Sequence, residues 1–402
     1  MLKIHYFNPG HETAVLLGKR NYTAPTNVRK MQGDLALLPA WYAAKGDFVY
    51  MGDLKSHNLN LSCLADAINP NGLPLDEVAI SSLKSSSSRL EAEPWGVSPH
   101  SLAQFERLRD CSGLDIIVPE WCDDYFRLTG RMSAALTMTD LREKITDLEL
   151  PQPATFCTSI EELELFISRN SAPYIIKTPY SSSGRGLMWV HENSLDSKIA
   201  KWAASAISKQ GAVSIELGLD KWLDFAMEFW SDGNGAVSYR GLSIFNTEER
   251  GSYSGNILEP QPDMEMILTQ YVSKEIIERV KMALIESLSD RYGAIYRGCI
   301  GVDMLIYQRD DGYYAIHPCI EINMRYTMGY VALRLYEEYI TQGAVGEYHV
   351  SYDKAAGEAL RNHLSLSERY PLILEKGRIK SGYISLCPVD SDTNYRAFIL
   401  IK

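Results

Sequence analysis

Two carboxylates, one amide and one guanidinium stand close together in Gly301-Val302-Asp303 and Glu321-Ile322-Asn323-Met324-Arg325. Cys299 to Tyr307 (CIGVDMLIY) and Tyr313 to Asn323 (YYAIHPCIEIN) read as strands, and Arg309-Asp310-Asp311-Gly312 between them carries an Asp-Gly hairpin turn. A turn centred on Asp311-Gly312 sets Asp303 opposite Ile320 or Glu321 on an antiparallel ladder. Glu321 and Asn323, two apart on one strand, share a face. Directly opposed Cβ atoms lie about 5 Å apart, which suits oxygen ligands around Mg²⁺ held by a few carboxylates and substrate phosphates. A solvated edge hairpin with paired charges fits the same residues, and Pro318 inside the second strand points to an edge or a bulge.

Upstream, the apolar strand Tyr174-Ile175-Ile176-Lys177 ends in a lysine and runs into Ser181-Ser182-Ser183-Gly184-Arg185-Gly186, before a second strand, Leu187 to Val190. A strand lysine followed by a small-residue loop can set an ammonium and several backbone N–H groups around phosphates. A plain Ser/Gly hairpin loop has the same composition, and neither the Walker A pattern nor G-x-G-x-x-G is present. Next comes Ala212 to Gly218, a bend, and a long alternating strand through Trp230. Glu216 and Leu217 could meet an adenine edge, and Asp220 or Asp224 could hold ribose hydroxyls; either acid could equally be a strand-end surface charge.

In this order, strand lysine with a small-residue loop, acidic hinge, G-x-D, then E-x-N-x-R, the chain resembles the ATP-grasp superfamily from about Arg131 to Tyr330. The resemblance implies ATP and Mg²⁺ (or Mn²⁺) as cofactors. It gives Lys177 to the α- and β-phosphates, with Ser182, Ser183, Gly184, Arg185 and Gly186 in a loop folding over the triphosphate. Glu216 and Leu217 fall at the adenine hinge, Asp303, Glu321 and Asn323 on the metal, and Arg325 near the acyl phosphate or its oxyanion. Tyr296-Arg297-Gly298 is similar to a segment of biotin carboxylase-like members, which makes Arg297 a catalytic candidate. The family also has a basic residue at the start of the helix entering the nucleotide lid, and here Arg142 and Lys144 compete for that role.

The elements that must position these groups form an α/β chain of three expected parts: an open α/β domain over residues 1–130, a small lid over 131–210, and a metal-bearing α+β part with a tail over 211–402. Lys3 to Phe7, Phe48 to Met51, Trp95 to Ser98 and Ile116 to Pro119 read as buried parallel strands, with helical spacing over Arg29 to Lys45 and Ser101 to Arg109. Open α/β sheets bind ligands beyond the carboxyl ends of their strands. That rule makes Asn8, His11 and Glu12 a candidate substrate loop, although a turn and a helix start would look alike. The polar stretch Ser243 to Asn256 is a second candidate, with Arg250 or Asn256 facing a carboxylate. Ser273 to Arg291 is amphipathic and reads as support for the metal strands.

At 402 residues, with 46% apolar and 23% charged residues, the chain can bury two or three cores. Fifty-one acids against 40 bases leave a net charge of −11, which argues against nucleic acid held by bulk electrostatics. Seven scattered cysteines without C-x-x-C fit reduced thiols in a cytoplasmic protein, and no apolar run approaches the ~18 residues that span a membrane. The expected activity is ATP-dependent joining of a small-molecule or peptide carboxylate to an amine or thiol through an acyl phosphate, in a possible homodimer. A small-molecule kinase on the same fold and a non-catalytic ATP-binding protein are the alternatives.

Overall fold

The computed structural model describes residues 1–52, 68–181, 186–247 and 253–402. The fold is mixed α/β, with a parallel sheet near the N-terminus and antiparallel sheets after it. Two compact units emerge, one of Met1–Cys122, Ser254–Gln261 and Arg325–Lys402, the other of Asp123–Tyr253 and Pro262–Met324. Among the described residues no helix is long and apolar enough to cross a membrane.

The first unit holds a five-stranded parallel sheet, in the order Leu73–Pro74, Phe48–Val49, Leu2–Tyr6, Arg89–Pro94 and Asp115–Ile117. Ile4, Leu90, Phe105 and Ile116 are buried together in its core. Two expectations are corrected here. The strand expected over Trp95 to Ser98 is instead Arg89–Pro94, because Ser98 already caps the helix Pro99–Ser112 in a capping box with Ser101. The alternating charges of Arg89-Leu90-Glu91-Ala92-Glu93 hid the true strand. The helix expected over Arg29 to Lys45 is also shorter, Thr26–Asp34, followed by a 3₁₀ turn over Leu38–Trp41 with Pro39 in its first positions. The tail of this unit is an antiparallel set in which Gly346–Tyr352 pairs Tyr395–Ile401, which pairs Arg378–Ser385, with the helix Glu358–Arg369 packed on the last.

In the second unit a four-stranded antiparallel sheet runs in the order Thr155–Cys157, Val213–Leu217, Tyr174–Lys177, Leu187–Val190. Leu163, Ile167 and Ala203 from the helices Ile160–Arg169 and Ser197–Gln210 close its core against Ile176 and Val213. The strands Tyr314–Asn323, Arg297–Gln308, Asp220–Asp232 and Val237–Thr247 form a second antiparallel set in this unit, packed against the helices Met132–Lys144 and Lys274–Tyr292. The latter helix is the amphipathic one expected, capped by the Ser273 hydroxyl. Ile244 to Thr247 belongs to a strand, as do Tyr253 to Asn256, so the polar stretch is not a continuous loop; Arg250 lies outside the described residues.

Candidate functional site

The hairpin register sets Asp303 directly opposite Glu321 and Gly301 opposite Asn323. It does so through a shift between Asp303 and Leu305, where Pro318, Cys319 and Ile320 face the single residue Met304. Pro318 thus sits in a bulge on the outermost strand of its set, the two places where a missing N–H does least harm. His317, opposite Leu305, and Glu321, opposite Asp303, lie on the face that carries Asp303. Asn323 Nδ2 donates to Asp303 Oδ2 at 3.2 Å. Two carboxylates and an amide are oxygen donors of the kind Mg²⁺ takes, so the residues fit that ion.

Arg131 joins this group. Standing at the N-cap of Met132–Lys144, it donates through Nη1 to Glu321 Oε2 at 2.8 Å, through Nε to the Thr178 carbonyl at 3.2 Å, and through Nη2 to Ser181 Oγ at 3.4 Å. One guanidinium therefore ties the Glu321 strand to the start of the small-residue loop. Arg142 and Lys144, the two candidates weighed for the basic residue at the helix start, stand at the other end of this helix. Arg142 donates to the carbonyls of Leu150 and Pro151, and Lys144 pairs with Glu286 at 2.6 Å. Both stand in the last helical turn, where cations complement the exposed carbonyls. The basic residue at the helix start is Arg131; a Gly-Arg pair ahead of the helical pattern was the signal for it.

Lys177 ends its strand as expected and forms a buried ion pair with Glu216 on the adjacent strand. Burial alone would raise the Glu216 pKa, but Lys177 and the neighbouring His317 and Arg131 hold it below the usual value. Burial pushes His317 down to about 4, leaving a neutral imidazole beside the pair. Lys177, Glu216, His317 and Arg131 line one narrow cleft with Cys319 and Ala134. Thr178 N donates to the Gly186 carbonyl at 2.8 Å, closing the loop mouth. Gly186 has φ +76°, and a Cβ there would run into Thr178 Oγ1. Ser182, Ser183, Gly184 and Arg185 lie outside the described residues.

Other candidates stand apart. Leu217 is exposed at its strand end, and Asp224 is held by Lys221 at 2.5 Å and the Thr247 hydroxyl at 2.8 Å. Arg297 begins its strand opposite Asp232, six residues from Asp303, which is roughly 20 Å along an extended chain. That distance separates the two along the strand. Glu228, by contrast, went unnoticed inside Ala-Met-Glu-Phe-Trp. It is 1% exposed, accepts from Ser243 Oγ at 3.3 Å, and sits opposite Gly301 on the face shared with Asn323.

The substrate-loop residues belong to the first unit. Asn8 exchanges two hydrogen bonds with the Gly96 backbone, at 2.8 and 3.2 Å. His11 packs on Gly96, where a Cβ would fall inside its ring, and burial lowers its pKa to about 4. Arg325 Nε donates to Glu12 Oε1 at 2.6 Å; burial alone would raise the Glu12 pKa, but Arg325, with His11 and a backbone hydrogen bond, holds it below its ordinary range. Asn256 is buried opposite Tyr348.

Over 100% of its length the chain is similar to the Campylobacter jejuni biotin carboxylase, crystallised as a β,γ-ATP complex, at TM-score 0.53 and 12% identity with 87% of that chain covered. The fold is the ATP-grasp fold. The ATP-grasp likeness extends to the biotin carboxylase domain dimer of Hydrogenobacter thermophilus 2-oxoglutarate carboxylase, in complex with MgADP, ADP and bicarbonate. There too TM-score is 0.53 and identity 12%, with 100% of this chain and 86% of that one covered. No family profile and no curated protein matches the sequence.

Proposed function

We propose that this ATP-grasp protein is an ATP-dependent ligase that joins a carboxylate to an amine or thiol through an acyl phosphate. The observation that carries the reading is Asp303 facing Glu321, with Asn323 bonded to Asp303, on strands of that fold. In this reading residues 1–130 contribute to substrate binding, 131–210 form the lid over nucleotide, and 211–402 carry the metal strands and tail. Asp303, Glu321 and Asn323 would hold Mg²⁺, or Mn²⁺ on the same oxygen donors, which supplies charge neutralisation on the phosphoryl group in transit.

Lys177 and Arg131 would hold phosphate oxygens, each exchanging its present carboxylate, Glu216 or Glu321, for the nucleotide. The substrate carboxylate oxygen attacks the γ-phosphorus and the bond to the β-phosphate oxygen breaks, giving ADP and the acyl phosphate. The amine then adds to the acyl carbon, loses its proton, and expels phosphate. Arg325, fixed by Glu12, would donate to the oxyanion of that step, where one oriented donor contributes about 3 kcal/mol. The scattered cysteines, none in a C-x-x-C pair, support a cytoplasmic enzyme.

The test is turnover of ATP by the purified protein with Mg²⁺ and pooled amines, amino acids and carboxylates, read by mass spectrometry. ADP, phosphate and a product one water lighter than its parts are expected, with turnover falling by about a thousandfold in Glu321→Ala while the fold holds. A phosphorylated metabolite without condensation would make the protein a kinase, and normal turnover in Glu321→Ala would overturn the metal assignment.

A further inference from the structure

A second cavity, of about 200 Å³, lies in the first unit at the carboxyl ends of Leu2–Tyr6 and Phe48–Val49. Its volume is far above the ~10–15 Å³ that admits a water and below the ~300 Å³ of drug-sized sites. Its sheet side is aromatic and apolar: Tyr6 and Tyr50, whose ring centroids are 5.6 Å apart, with Phe7 and Met51. Its other wall is one face of the helix Thr26–Asp34 and the turn after it, presenting Arg29, Gln32, Gly33 and Ala36.

Three features mark it as kept open for a ligand. Gly33 and Ala36 put nothing larger than a methyl on this wall, and a Cβ on Gly33 would meet nothing within 4 Å. Glycine is a poor helix former, so the local preference does not explain it. Arg29, in a chain with 51 acids and 40 bases, has no side-chain hydrogen bond or ion pair, and no carboxylate lines the cavity, among the described residues. Finally, Tyr6, 5% exposed, accepts from Gln32 Nε2 at 2.6 Å. A phenol that accepts keeps its own O–H to donate, and among the described residues no acceptor takes it.

We infer that this cavity binds a small carboxylate with a flat apolar body, its oxygens on the Arg29 guanidinium and the Tyr6 hydroxyl and its body between the tyrosine rings and Met51. An arginine fork matches a carboxylate in two parallel hydrogen bonds, and a charged pair of this kind outweighs a neutral one about twofold. The inference is independent of the ligase reading, since it concerns binding without nucleotide.

The test is ¹⁹F NMR of the full chain with 4-fluorobenzoate and 4-fluorophenylacetate, using uncharged 4-fluorobenzamide as control. At least one acid should bind, the amide should bind more weakly, and exposed Arg29→Met should weaken the acid about tenfold or more. Gly33→Leu fills the cavity from a helical position and should abolish binding while circular dichroism stays native. Equal affinity for acid and amide, unchanged affinity in both variants, or no binding of either acid would each overturn the inference. If turnover is found, a raised KM for one acid in Arg29→Met identifies the ligand as a substrate, whereas a changed response to added acid at saturating substrate identifies an effector.

Discussion

The two groups of candidate residues are built in opposite ways. In the second unit Asp303, Glu321 and Asn323 lie on two strands of one hairpin, so a five-residue turn and a bulge are enough to assemble them. In the first unit Glu12 and Arg325 are 313 positions apart, and no local rule brings them together. Adjacent strands have a period and a register that can be counted, whereas a long-range pair is fixed only by everything packed between its ends. The hairpin group should therefore tolerate loss of a single side chain as a fold and fail as a catalyst. The long-range pair should matter to stability as well.

The sharpest way to break that contrast is Glu12→Ala. It leaves Arg325, 18% exposed, without its carboxylate, and removing one partner of a mostly buried pair should cost about 3 kcal/mol in urea unfolding. The double variant Glu12→Met with Arg325→Met should recover most of the loss, as expected when the penalty is the stranded charge. A single-variant loss no larger than that of Asn323→Ala would erase the distinction between the groups.

A smaller effect lies in the pH dependence, to which each unit contributes a buried histidine lowered by burial to about 4, His11 and His317. Below pH 6.5 the unfolded chain binds a proton at each ring that the folded chain does not, so stability falls on acidification between pH 6.5 and about 4. Each contributes up to about 1.4 kcal/mol per pH unit. The depressed carboxylates Glu12 and Glu216 add nothing to the slope above their unfolded value of 4.5, because both states are ionised there; their share is lost below it. Urea denaturation at pH 7, 6 and 5 should show the slope, and His317→Gln should remove its part alone. An unchanged slope in that variant would mean that His317 is protonated in the folded protein.

The smallest difference separates the basic residues of one helix. Arg131→Met should raise the KM for ATP about tenfold, since it removes a charged donor beside Lys177, while Lys144→Met on the exposed helix end should leave both KM and stability nearly as they are, within about 0.5 kcal/mol. The reverse ranking would return the nucleotide role to the far end of the helix.

How much was legible follows the same line. The strand ending in Lys177, the Ser273 helix and the hairpin through Asp303 all carry short-range periodicity, and the structure has them within a residue or two. The Arg89–Pro94 strand was hidden because its exposed and half-buried positions are charged. Arg131 was missed for a different reason: its partners Thr178, Ser181 and Glu321 come from other elements, so its own neighbours say nothing of them. Glu228 was passed over because a lone acid in an apolar strand looks like a surface charge until the register sets it beside Gly301.

By itself the sequence determined most of the elements, the hairpin that sets Asp303 opposite Ile320 or Glu321, and the order of signals that resembles ATP-grasp proteins. Those are properties of periods of two and 3.6 residues and of turn chemistry, all readable within a few positions. The tertiary structure decided that Arg131 rather than Arg142 or Lys144 meets Glu321, that Arg325 is held by Glu12, and that Arg29 faces an open cavity with Tyr6. Each of these depends on side chains brought together from distant parts of the chain, and burial then fixes which charges must find one another, because a charge removed from water without a partner is too costly to keep.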